Sequence, residues 1–265
     1  MPDALAHADR PLVRAIRRAL KQAAVPADAE PMQRYMKSAM PYLGVKKPAR
    51  AAATRPLFAE HALPDWPALR DTVLMLWREA KHREERYVAI DLSRQRAYRP
   101  FHRPAALGTF EELVVTGAWW DYVDEVAKHN VGTILQASPK GMNRTLRAWA
   151  KDDDLWKRRT AILAQLGFKK DTDATLLADC IAPSLGADYH HAHRGPGQSQ
   201  GHPMIQKDVD FFIRKAIGWA LREYAKSEPQ WVVDYVYEHA KQLPRFSQKE
   251  ALRVLISKGF VDGLP

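Results

Sequence analysis

In the stretch AWWDYVDEVAKHNVG, Trp120 and Asp124 stand four residues apart. At helical spacing they lie one above the other on a single face, while Trp119, Val123 and Val126 fall on the neighbouring face as an apolar stripe for the core. A carboxylate beside an indole at a helix edge can take part in chemistry. It can equally pair with Lys128, four residues on, with Trp120 as one more core residue. Two further segments carry groups of the same kind. DDDLWKRRTAILAQL sets Arg158 and Arg159 after Trp156. A planar guanidinium fork can grip a phosphate, or it can bind back to Asp152–Asp154 as a structural brace. DFFIRKAIGWALREYAKSE aligns Phe212, Ala216, Trp219 and Ala220, with Arg222 three residues past Trp219. Gly218 costs about 1 kcal/mol against alanine inside a helix, which suggests a close approach of backbone or ligand. In YLGVKKPAR, Lys46, Lys47 and Arg50 surround a turn and a helix start with Pro48 in the first turn, where free N–H groups suit an anion.

The elements that must position these groups read as helices. PLVRAIRRALKQAA places Leu12, Ile16 and Leu20 at spacings of four, with Arg14, Arg17, Arg18 and Lys21 mostly on other faces. Asp65 is a predicted N-cap before WPALRDTVLMLWREA. Thr109 with Glu112, and Ser247 with Glu250, have capping-box spacing. Ser227 is the expected cap of the helix that carries Pro229 in its first turn. No convincing period-2 strand is present. About a dozen helices joined by short loops, paired into units of about 35 to 45 residues, lie in the range of HEAT and armadillo arrays. The expectation is an all-α fold in one domain spanning residues 1–265: a curved superhelical array of antiparallel helix pairs, an α-solenoid of HEAT-like repeats. Such arrays present a long concave face to an elongated ligand. The Gly/Pro/Ser/Gln-rich stretch GADYHHAHRGPGQSQGHPM interrupts the pattern and reads as a long surface loop. Its His190, His191, His193 and His202 make a zinc site conceivable, yet no spacing there fits a known catalytic zinc pattern.

The chain has 265 residues, with 41 Lys+Arg against 31 Asp+Glu, a formal net charge of +10. Residues 1–50 hold ten basic and four acidic residues, so they supply +6 of that excess. A basic excess points to a polyanion, most simply nucleic acid, although it also serves solubility. No apolar run approaches the ~20 residues that span a bilayer, and no secretory signal is evident. Cys180 is the single cysteine, which excludes an internal disulfide framework and a cysteine-rich zinc site. A reducing, cytoplasmic setting is expected.

MKSAMPYLGVKKPAR, AWWDYVDEVAKHNVG, LWKRRTAILAQL, FFIRKAIGWALREYAKSEPQWVVDYV and FSQKEALRVL together resemble the HEAT-like-repeat DNA glycosylases of the bacterial DNA alkylation repair family. The likeness runs in order and spacing from about residue 30 to residue 258. It departs at about 186–206, where the family has a short turn. The resemblance implies that Asp124 is the catalytic aspartate. It implies that Trp120 and Trp219 flank the damaged nucleotide and that Arg159 contacts the DNA backbone near the lesion. Arg222, Lys46, Lys47 and Arg50 are implied as further backbone contacts. The implied substrates are N-alkylated purines such as N3-methyladenine and N7-methylguanine in double-stranded DNA. No cofactor or metal is implied, and a monomer without an obligate protein partner is expected.

Such residue types suit such a reaction. A base alkylated at those nitrogens is cationic and leaves readily, and the sugar becomes oxocarbenium-like. A carboxylate beside the sugar stabilises that charge and can orient a water. Indole faces favour a cationic nucleotide by about 0.5 to 2 kcal/mol each. The resemblance implies that the nucleotide is held through sugar and phosphate without a tight base-flipping pocket, unlike many glycosylases. Two other classes stay open. One is a non-catalytic binder of branched or damaged DNA on the same scaffold. The other is a helical scaffold for protein partners, which the charge argues against.

Overall fold

The computed structural model describes residues 5–186, 197–199, 202–204 and 206–265. They group into two compact units, Met1–Leu113 and Val114–Pro265. Both are built of helices, as the sequence periodicity predicts.

In the first unit, α1 (Arg10–Gln22), α2 (Pro26–Tyr35), α3 (Lys47–Glu60), α4 (Trp66–Arg78) and α5 (Arg83–Ser93) form the frame. The Asp9 carboxylate caps α1 by accepting from Leu12 N at 2.8 Å. Leu12, Val13, Ile16 and Leu20 are buried, each worth roughly 1.5–3 kcal/mol relative to exposure. That face packs α1 onto α3, α4 and α5. Asp65 caps α4 as predicted, accepting from Ala68 N at 2.9 Å.

The second unit carries α7 (Trp120–Val126), α8 (Gly132–Ala137), α9 (Pro139–Trp149), α10 (Leu155–Leu163), α11 (Ala174–Ile181), α12 (Gln206–Tyr224), α13 (Pro229–Glu238) and α14 (Arg245–Ser257). A short α6 (Leu107–Gly117) precedes them. A single π-helical turn, Ala127–Val131, joins α7 to α8 without a break. The packing of α10 on α7 and α12, and of α12 on α14, forms the centre of this unit.

Three caps differ from expectation. Thr109 lies inside α6, because the 3-10 turn Pro104–Ala106 leads straight into Leu107. Ser247 lies inside α14, and its hydroxyl donates to the Arg214 carbonyl at 2.8 Å, tying α14 to α12. At α13 the cap position is Glu228 rather than Ser227, with no side-chain bond, although Pro229 begins the helix as expected. A proline at the first position or a preceding 3-10 turn leaves fewer N–H groups for a side chain to cap. The stretch read as a long loop contains a two-stranded antiparallel hairpin, β1 (Gly197–Ser199) with β2 (His202–Met204), Gly197 opposite Met204. Two residues separate the strands and the second is Gly201, a spacing that favours a tight hairpin but is too short to show period-2 patterning. The histidines at 190, 191 and 193 lie outside the described residues.

Among the described residues, no helix is long and apolar enough to cross a membrane.

His102 is fully buried and meets Phe110 edge-on, with ring centroids 5.2 Å apart. Burial pushes its pKa down to about 4, helped by the charge of Arg99 and opposed by a hydrogen bond with the Ser93 backbone. The unfolded chain, titrating near 6.5, therefore binds the proton more readily than the folded one. Stability is fully present above about pH 6.5 and is lost as pH falls towards 4. Unfolding free energy should drop by about 2–3 kcal/mol between pH 7 and pH 4.5 from this group alone. In urea titrations at the two pH values, His102→Gln should shrink the pH 7-to-4.5 difference by that amount. An unchanged difference would remove His102 as the cause.

Candidate functional site: a clamped aspartate between three helices

The break between α6 and α7 sets the geometry. Gly117 ends α6, and Ala118 sits in the left-handed region at φ 42°, a conformation uncommon for a residue with a Cβ. Trp119 then takes an extended backbone as the N-cap of α7, and Trp120 is its first residue. One turn on, Asp124 faces α10.

There it meets Arg159. The guanidinium donates from Nε to Asp124 Oδ1 at 2.7 Å and from Nη2 to Oδ2 at 2.9 Å, a two-bond fork. Nη1 donates to the carbonyl of Phe212 on α12 at 2.6 Å. The Arg159 side chain is 3% exposed and that of Asp124 13%, so the pair is largely buried. Three helices thus converge on one ion pair. Lys128, the alternative partner in the sequence, is not the group that holds Asp124.

Aromatic rings support the pair. Trp119, Trp156 and Phe212 form a triangle with centroids 6.1, 5.4 and 5.2 Å apart, and the Arg159 guanidinium lies 5.8 Å from the Phe212 ring. Trp119 therefore packs inward, as do the fully buried Val123 and Val126. Asp154 caps α10 by accepting from Trp156 N at 2.8 Å and Lys157 N at 2.9 Å, which fixes where Arg159 emerges about one and a half turns later. Arg158 takes the structural role left open in the sequence, donating to the carbonyls of Asp152 and Asp153 at 2.6 and 2.9 Å. Gly132 lets the α7–α8 rod close on α10, since a Cβ there would stand 2.5 Å from the Ala164 carbonyl oxygen.

The other expected residues divide. Trp120 and Trp219 are both half-buried. Trp219 shares α12 with Phe212, two turns further on. Gly218 beside it is explained by α14, because a Cβ would stand 2.7 Å from Glu250 Cβ and 3.2 Å from the Ser247 carbonyl oxygen. Arg222 is ion-paired with Glu250 across the same interface and holds α12 to α14. Arg50 is buried, bonded from Nε to Asp91 Oδ2 at 2.8 Å and 4.7 Å from the Tyr87 ring centroid, so it braces α3 on α5. Lys46 is exposed and pairs with Asp28 at 2.8 Å, and Lys47 is exposed. Both belong to the first compact unit. The turn before them is held from inside: Glu84, fully buried, accepts from Leu43 N and Val45 N at 3.0 Å. The Arg159 donors go to Asp124 and Phe212.

A family model described as DNA alkylation repair enzyme matches residues 16–199 and 203–255. The chain belongs to this family. A solved structure described as a predicted DNA alkylation repair enzyme from Enterococcus faecalis is 28% identical, covers 88% of this chain and 96% of its own, and superposes with a TM-score of 0.62. No curated protein matches the chain. For a DNA alkylation repair enzyme the sequence left Trp156, Phe212 and Glu84 without a site role. The signals that could have found them are the Trp156–Arg159 spacing of three, the position of Phe212 two turns before Trp219, and an acid inside REERYVAIDL that no exposed base claims.

A nearly buried ion pair that loses one member leaves the other charge uncompensated, which costs about 3–5 kcal/mol. Arg159→Met should therefore lower the unfolding free energy by about that much in urea denaturation. The double variant Asp124→Leu/Arg159→Met should recover most of it. Additive losses in the double variant would show that the two side chains do not act as a pair.

Proposed function

We propose that this DNA alkylation repair enzyme is a monofunctional glycosylase acting on cationic alkylated purines, N7-methylguanine and N3-methyladenine, in duplex DNA. The observation that carries the reading is the fixed carboxylate of Asp124, held by a two-bond fork one helical turn from the half-buried Trp120.

The reaction follows from charge. The C1′–N bond breaks with its electron pair going to the base, which leaves neutral. Positive charge moves to the sugar ring. Asp124 stands as a preorganised anion beside it and needs no reorientation as the charge develops. A water adds to C1′ and gives up its proton at the Asp124 carboxylate. Arg159 is a positioning residue here: by holding both carboxylate oxygens it fixes the orientation of the anion. Trp120 and Trp219 hold the cationic nucleotide by their ring faces. No lysine is required as a nucleophile, so the product is an abasic site with the strand intact. Exposed Lys46 and Lys47 supply backbone contacts in this reading. The helix pairs act as HEAT-like repeats, and the nucleotide is held through sugar and phosphate instead of in a tight base pocket.

One observation favours a second reading. The Arg159 fork occupies both Asp124 oxygens, so a protein that binds damaged or branched DNA without excising a base would keep the same pair for stability alone.

Release of 7-methylguanine from methylated duplex DNA separates the two. The wild type should release free base, and Asp124→Asn, verified as folded by thermal melting, should lose at least about 100-fold in rate, the scale of one electrostatic stabiliser. Full activity in Asp124→Asn would mean that another group does the chemistry. Tight duplex binding by the wild type with no base release would favour the binder.

A further inference from the structure

We propose that the outer face of α1 is a phosphate-binding surface for duplex DNA, formed by Arg14, Arg18 and Lys21 and separate from the clamped aspartate. The proposal rests on the reading that DNA is the partner, but not on base excision.

The placement follows from helical geometry. At about 100° per residue, Arg14, Arg18 and Lys21 fall within an arc of about 60°, on the side of α1 away from Leu12, Val13, Ile16 and Leu20. Over about 10 Å of helix axis they make one continuous stripe. All three are exposed, and with Arg17 and Gln22 they line an open depression of about 440 Å³. Arg17 shows what a structural arginine looks like on this helix. Its Nε bonds Glu85 Oε2 at 2.8 Å and its Nη2 bonds the Glu79 carbonyl at 3.3 Å, which pins α1 to the neighbouring helices. Among the described residues, no carboxylate pairs with the side chains of Arg14, Arg18 or Lys21.

Like charges one turn apart weaken a helix, so the stripe acts against the stability of the free protein. A duplex has the matching pattern: closely spaced phosphates along a rod, with one charge per ~1.7 Å of axis. Contacts of this kind carry no sequence information and hold the protein on DNA whether or not a lesion is present.

Salt dependence tests this. Binding of an undamaged duplex is followed by fluorescence anisotropy across a sodium chloride series. Each phosphate neutralised contributes about 0.9 to the slope of log K against log salt. Arg14→Gln/Arg18→Gln/Lys21→Gln should therefore reduce the slope by about two to three, and Arg18→Gln alone by about one. The triple variant should melt at or above the wild-type temperature, since a stabilising role would lower it. Asp124→Asn should keep the wild-type slope, so loss of base release and loss of anchoring are read apart. A wild-type slope in the triple variant overturns the proposal, as does a wild type that fails to bind duplex at low salt. Binding by the wild type to vesicles of equal parts phosphatidylcholine and phosphatidylserine, abolished in the triple variant while its duplex slope is unchanged, would assign the stripe to a membrane surface and also overturn it.

Discussion

The second compact unit is organised around one interaction, the two-bond fork from Arg159 to Asp124. An arginine and an aspartate this far from water are costly to desolvate, and their attraction compensates only when the geometry is good and the remaining donors are satisfied. The surroundings meet that condition. The Asp154 cap sets the start of α10, the Phe212 carbonyl takes a third guanidinium donor, and the triangle of Trp119, Trp156 and Phe212 excludes water from one side. The supporting residues come from three elements, so the pair exists only when α7, α10 and α12 are all in place. The carboxylate that results is held in one orientation through both of its oxygens.

How the arginines are used changes the meaning of the net charge. A formal +10 invites the view that most cations face a polyanion. Yet Arg50, Arg83, Arg158 and Arg159 are all buried and engaged with internal partners, and Arg17 and Arg222 brace neighbouring helices. A guanidinium can do this because its five donors can be shared among carboxylates, carbonyls and ring faces. The cations left for a partner are fewer, and on α1 they concentrate on one stripe.

Much of this was legible in the sequence, for physical reasons that differ by residue. The apolar stripes of α1 and α7 were readable because core faces repeat with the helical period. The Trp120–Asp124 relation was readable because both lie on one helix. Asp65 and Pro48 announced their helix starts. What could not be read was pairing between distant segments. Nothing local links Asp124 to Arg159, 35 residues on, or Arg50 to Asp91. An arginine that braces a core and an arginine that meets phosphate have the same sequence signature, so the intramolecular partners of Arg50 and Arg222 could not be read locally. Ser247 failed for a related reason: its hydroxyl is used across helices, not along its own.

The π turn at Ala127–Val131 acts as a phase corrector. Asp124 and Gly132 are eight residues apart, and in an unbroken α-helix that separation would point them about 80° from each other. One residue absorbed in the wider turn leaves an effective spacing of seven, which brings the two directions to within about 20°. Both can then face α10, Asp124 towards Arg159 and Gly132 against the Ala164 carbonyl. The segment therefore counts residues as well as choosing them. Lengthening it by one beside Asn130 would leave every side chain of the ion pair in the protein and still turn the aspartate away from its clamp whenever Gly132 stayed seated.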